Sequence, residues 1–178
     1  MNKYKNIILF LIKFFGTYFL LFAVYAYYLY IYQEKESGLQ CAPLTTQVAD
    51  QTVSVLSFFG YDVSSVQHEA EMSVKLLVGN QYVARVIEGC NSISIIILFI
   101  AFIIAFAGPK KATLLYVVAG SVIIYSLNIL RIGFLTMMLY KYPNQQMVLH
   151  NLVFPAIIYG TTFLLWVLWV RKFSYHKK

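Results

Sequence analysis

The chain has 178 residues, 60% of them hydrophobic, 17% aromatic and only 12% charged. A water-soluble domain of this size has too little interior to hide so much apolar surface, so the composition points to an integral membrane protein. The net charge of +7 is concentrated in Lys and Arg beside apolar runs. There it orients a membrane protein and meets anionic lipid, and nucleic acid is not the expected partner.

The first apolar run covers about residues 7–32, with its most continuous part at Phe14–Tyr32. It exceeds the ~18 residues a helix needs to cross a bilayer. It is too long for the apolar region of a cleaved signal peptide and no small-x-small site follows, so it reads as a retained anchor. In "GLQCA", Gln40 stands where a lipoprotein signal needs a small residue, so Cys41 is not read as a lipidated cysteine. Three further runs, at about 91–107, 112–140 and 152–170, bring the expected number of transmembrane helices to four.

Lys3, Lys5 and Lys13 precede the first run, Lys110 and Lys111 lie between the second and third, and Arg171, Lys172, Lys177 and Lys178 follow the fourth. All seven acids (Glu34, Glu36, Asp50, Asp62, Glu69, Glu71 and Glu88) fall on the opposite side. Lys and Arg in short loops stay cytoplasmic. Both termini are then cytoplasmic, and residues 33–90 and about 140–151 are extracytoplasmic. Tyr25–Tyr32 would sit at the outer interface, and Trp166 and Trp169 near the inner one.

In the outer segment, Leu44, Val48, Val55, Leu56 and Phe59 share one helical face. Thr45 or Thr46 is a candidate cap and Gly60 a terminator. Gln47, Asp50 and Ser54 would face water while the apolar side lies on the membrane or packs on the spans. Next, Val74–Val78 and Tyr82–Ile87 flank Gly79-Asn80, the signature of a β-hairpin. The expected fold is therefore an all-α integral membrane protein, one membrane domain over 1–178, with a small extracytoplasmic cap of an amphipathic helix plus a β-hairpin. Walker-type, HExxH and CxxC motifs are missing, so nucleotide hydrolysis and zinc chemistry are not expected, nor is a cofactor or metal.

Polar groups within apolar runs need an account. Counted from Ala112, Arg131 lies nineteen residues along the third run. That is about 28 Å, nearly the ~30 Å of the hydrocarbon core, which puts Arg131 at the outer interface. Asn128 precedes it by three residues and shares its face. Cys90 opens the second run and His150 lies in the outer loop before the fourth. Three reactive side chains from three segments thus share one membrane level.

Taken singly, each has a plain structural reading: an inert cysteine, an arginine snorkelling to phosphate, and an ordinary loop histidine. Together they make a coherent chemistry. A thiol attacks a carbonyl as thiolate, which a helix N-terminus or a cation favours, and Asn91 or Ser92 would cap the helix starting beside Cys90. His150 would serve as general base and then acid, and Arg131 would stabilise an oxyanion or position the substrate. His68 and His176 carry no such case.

These residues also carry a family resemblance. "IEGCNSIS", "LNILRIGFL" and "VLHNLVFP" resemble the exosortase/archaeosortase family of membrane cysteine transpeptidases. The small size and basic tail resemble its short, Bacteroidetes-type form. The family's Cys, Arg and His map onto Cys90, Arg131 and His150. Many members continue the Cys with Ser-Gly, where this chain has Asn91-Ser92, and many have about eight spans. The resemblance implies a bacterial inner-membrane enzyme whose partners are exported proteins bearing a C-terminal motif, a hydrophobic helix and a basic tail. Cleavage would pass through a thioester on Cys90 to an acceptor amine or water, with the hairpin guiding the extended motif by strand addition.

A non-catalytic membrane assembly or scaffold subunit is the alternative, with Asn128, Arg131 and His150 holding helices together. A transporter is disfavoured because the spans hold almost no charge in their middles. A Cys41–Cys90 disulfide outside the cytoplasm would remove the nucleophile.

Overall fold

The structure is a computed structural model that describes residues 2–35, 40–106, 108–143 and 154–173. It is mostly helical, with one small sheet. Helix α1 runs over Asn2–Lys35 and is a continuous apolar rod. None of its apolar stretch Tyr4–Tyr32 is buried within the protein, as expected of a helix whose surroundings are lipid. It leans on the rest of the chain through aromatic contacts, Phe10 meeting Phe106 at 4.6 Å between ring centroids.

Helix α2 covers Pro43–Phe58. Pro43 at the first position suits a helix start, where its missing N–H is no loss. Gly60 ends it at φ 85°, a conformation that glycine adopts freely. Its buried face is Thr45, Val48, Ala49, Thr52 and Leu56. Val48 and Leu56 are buried as hydrophobicity predicts, but the rest of the expected face is corrected. Leu44 and Val55 are only half-buried, and Phe59 is 66% exposed. Small residues replace them because α2 lies close to a second helix, and the Thr52 hydroxyl can turn inward by donating to the Val48 carbonyl at 2.8 Å. Gln47, Asp50 and Ser54 face outward, as expected.

Three antiparallel strands follow in the order β1–β2–β3 (Val63–Gln67, Ser73–Val78, Gln81–Ile87). The predicted hairpin is β2–β3. Its two turn residues, Gly79 at φ 53° and Asn80 at φ 66°, are both left-handed, the geometry whose twist matches the flanking strands. Strand β1 extends the expected hairpin to a sheet, pairing Val63 with Val78 and Gln67 with Val74. Alternation along β2 buries Val74, Leu76 and Val78, which pack with α2 and the fourth helix.

A 3-10 turn, Glu88–Asn91, joins β3 to α3, Ile93–Ala105. At 13 residues, α3 spans about 20 Å. It is apolar all round and central, with Phe99, Ala101 and Ile103 fully buried. Helix α4, Lys110–Lys141, begins directly after Gly108-Pro109. Gly120 admits the Phe99 ring so closely that a Cβ there would lie 2.3 Å from it. Helix α5, Phe154–Lys172, closes the bundle. Trp169 is fully buried and donates its indole N–H to the Phe106 carbonyl at 2.9 Å, so it locks the end of α3 rather than merely marking an interface.

Among the described residues two helical stretches, Tyr4–Tyr32 and Lys110–Lys141, are long and apolar enough to cross a membrane, and α3 is a shorter apolar helix.

Candidate functional site

The turn Glu88–Asn91 exists because five hydrogen bonds from distant elements hold it. Glu88 Oε1 accepts the Ala42 N–H at 2.5 Å and Oε2 accepts the Thr45 hydroxyl at 2.7 Å. The carboxylate therefore stands at the N-terminus of α2, where the helix dipole favours a negative charge. The cap expected at Thr45 or Thr46 is corrected: α2 begins at Pro43 with Ala42 as its N-cap, without a side-chain cap, and Thr45 lies inside the helix. At the other end of the turn, Asn91 Nδ2 donates to Tyr25 Oη at 2.6 Å and to Thr45 Oγ1 at 3.2 Å. Asn91 Oδ1 accepts the Ile93 N–H at 3.1 Å, satisfying an otherwise orphaned amide of α3. Of the two expected candidates, Ser92 holds the N-cap position of α3 without a side-chain bond, and Asn91, one residue earlier, supplies the side-chain oxygen.

Cys90, half-buried, occupies the third position of this turn, three residues before the first helical residue of α3. It packs against the cluster formed by Cys41, Val48, Ala49, Val74, Leu76, Val86 and Ile132. Arg131, also half-buried, donates from Nη1 to Asn128 Oδ1 at 3.3 Å. Asn128, 1% exposed, donates in turn to the Cys90 carbonyl at 2.6 Å. Two of the predicted site residues are therefore linked through one buried amide. The shared face of Asn128 and Arg131 was legible from their spacing; the bond to Cys90 was not. His150, and Asn151 beside it, lie outside the described residues.

The two cysteines are both free thiols. Cys41 is buried in the same cluster, and burial, with the Glu88 charge adding to it, pushes its pKa up to about 11. It stays a neutral thiol across the physiological range.

The family of transmembrane exosortases (Exosortase_EpsH) matches residues 6–170, nearly the whole chain. The chain belongs to that family. No curated protein and no solved structure gives a significant match. Family membership carries an exosortase-type function in a membrane and a cysteine-transpeptidase kind of activity. Ser92, two residues after Cys90, takes φ 60°, a left-handed conformation that strains a residue with a side chain.

Thr45, Glu88 and Tyr25 were not singled out as site residues from the sequence. Their bonds join positions 43 to 66 residues apart, and no local spacing signals such a pairing.

Proposed function

We propose that this exosortase cleaves the C-terminal sorting signals of exported proteins at the outer face of the bacterial inner membrane, with Cys90 as nucleophile. The observation that carries the reading is the chain from Arg131 through Asn128 to the Cys90 carbonyl. It ties the candidate cation to the turn bearing the candidate thiol, directly ahead of a helix N-terminus. Cys90 attacks the scissile carbonyl, the amine leaves with a proton supplied by His150, and a thioester remains. An acceptor amine or water then attacks the thioester, His150 takes its proton, and the Cys90 thiolate is released. Arg131 stabilises the oxyanion of both steps.

Four helices cross the membrane with both termini inside. Helix α3 alone reaches about 20 Å, and the three residues from Cys90 to its start add about 6 Å at 3-10 rise. Cys90 then stands at the outer boundary of a ~30 Å hydrocarbon layer. A substrate anchored by its own helix presents its motif at that height, and confinement supplies much of the orientation. Strand β3 leads into the turn and is an edge of the sheet, a place for an extended peptide to pair.

The test compares Cys90→Ala, Arg131→Ala and His150→Ala cells by mass spectrometry of envelope-protein C-termini. All three should retain uncleaved tails on the same set of proteins, with the exosortase at normal level. Different sets, or an Arg131→Ala strain that processes normally, would return Arg131 to a helix-packing role.

A further inference from the structure

Given the reading of Cys90 as nucleophile, we propose that Thr45 is a positioning residue that ties together the two ends of the Cys90 turn. Thr45 is fully buried and belongs to α2, far from the turn in sequence. Its hydroxyl donates to Glu88 at 2.7 Å and accepts from Asn91 at 3.2 Å. Glu88 and Asn91 are the first and last residues of the four-residue turn that carries Cys90. One hydroxyl therefore spans the turn from outside.

The turn needs such a tie. A 3-10 turn has weaker internal hydrogen bonds than an α-helix. Gly89 contributes no side chain, and the left-handed Ser92 follows immediately. The direction of the chain is also fixed. Both Glu88 oxygens accept, so the Thr45 proton goes to Glu88, which leaves the Thr45 oxygen to take the Asn91 amide. Asn91 reaches on to Tyr25 of α1, and Asn128 of α4 holds the Cys90 carbonyl. Three helices thus grip the turn at its ends and its backbone. Among the described residues the Cys90 thiol takes no part in this network and is left available.

The test uses the full-length protein in native membranes, with two readouts: processing of envelope C-termini, and the rate at which a membrane-impermeant maleimide labels Cys90. Thr45→Val keeps the shape and removes the hydroxyl; Thr45→Ser keeps the hydroxyl. Misplacing a nucleophile by about an ångström costs on the order of 100-fold, so Thr45→Val should slow processing by roughly 10- to 100-fold and change the labelling rate. Thr45→Ser should match the parent in both. Glu88→Ala breaks the same chain at a half-exposed position, so the double variant should be no slower than the worse single one.

Parent-like processing and labelling in Thr45→Val overturns the proposal, as do losses that multiply in the double variant. If Thr45→Val fails to accumulate, Glu88→Ala decides by the same two readouts. A Cys90→Ala strain that processes normally would end the catalytic reading, while the labelling rates would still judge whether Thr45 holds the turn.

Discussion

Ser92 shows how much one backbone angle explains. A side chain at φ 60° costs about 1 kcal/mol or more relative to glycine. The residue is 5% exposed, and its buried hydroxyl has no hydrogen-bond partner among the described residues. Ser92→Gly should therefore stabilise the protein, raising the melting temperature in detergent by roughly 2–4 °C with processing retained. A lower melting temperature would mean that the hydroxyl has a use the strain offsets. Cys41 gives a prediction in pH. With its pKa near 11, the folded state favours the protonated thiol. The stability this contributes is complete below the ordinary thiol value of about 8.5 and is lost as pH climbs through 11. Maleimide at pH 8 should accordingly label Cys90 and spare Cys41 until the chain is unfolded, as peptide mapping would show. Cys90 and Arg131 were legible as a pair because cysteine is scarce and helix rise fixes height. Thr45 and Glu88 were not, because only folding brings them to the turn.

At the scale of elements, legibility followed local chemistry. Gly79-Asn80 announced the β2–β3 hairpin because two successive left-handed residues are needed there and both tolerate it. Strand β1, "VSSVQ", gave no such signal: only Val63 is buried, and the strand forms because β2 offers it an edge. The buried face of α2 was only partly read, for a related reason. Val48 and Leu56 are buried as expected, but Thr45, Ala49 and Thr52 take the places expected of Leu44, Val55 and Phe59, because α2 approaches α4 closely, with Leu56 and Thr52 beside Gly133. The α3–α4 contact makes the same demand at Gly120. A methyl group there would meet the Phe99 ring at 2.3 Å, so Gly120→Ala should cost about 1–3 kcal/mol through overpacking. Thermal unfolding of the purified protein would show it, and Phe99→Leu in the same chain should restore part of the loss. An unchanged melting temperature would mean that the two helices can part without penalty.

For the whole molecule, charge carries the expectation. All seven acids lie between the first and second apolar runs, and basic residues flank the other run ends, from which the proposed orientation puts the segment between α1 and α3 outside. Alkaline phosphatase fused after Gly60 should be active and fused after Lys111 inactive; the reverse pattern would turn the site to the cytoplasm. What sequence could not convey is how the cap meets the bundle. That joint is the Glu88–Asn91 turn, held by α1, α2 and α4 together, and the account makes it the place of catalysis. The decisive measurement compares the C-terminal peptides of envelope proteins from parent and Cys90→Ala cells. Proteins that keep a hydrophobic, basic-tailed C-terminus only in the variant are the predicted result, and the sequence just before those tails would reveal the recognised motif. Identical C-termini in both strains, with Cys90→Ala protein at its normal level, would contradict the account and leave the polar chain around Cys90 as helix packing.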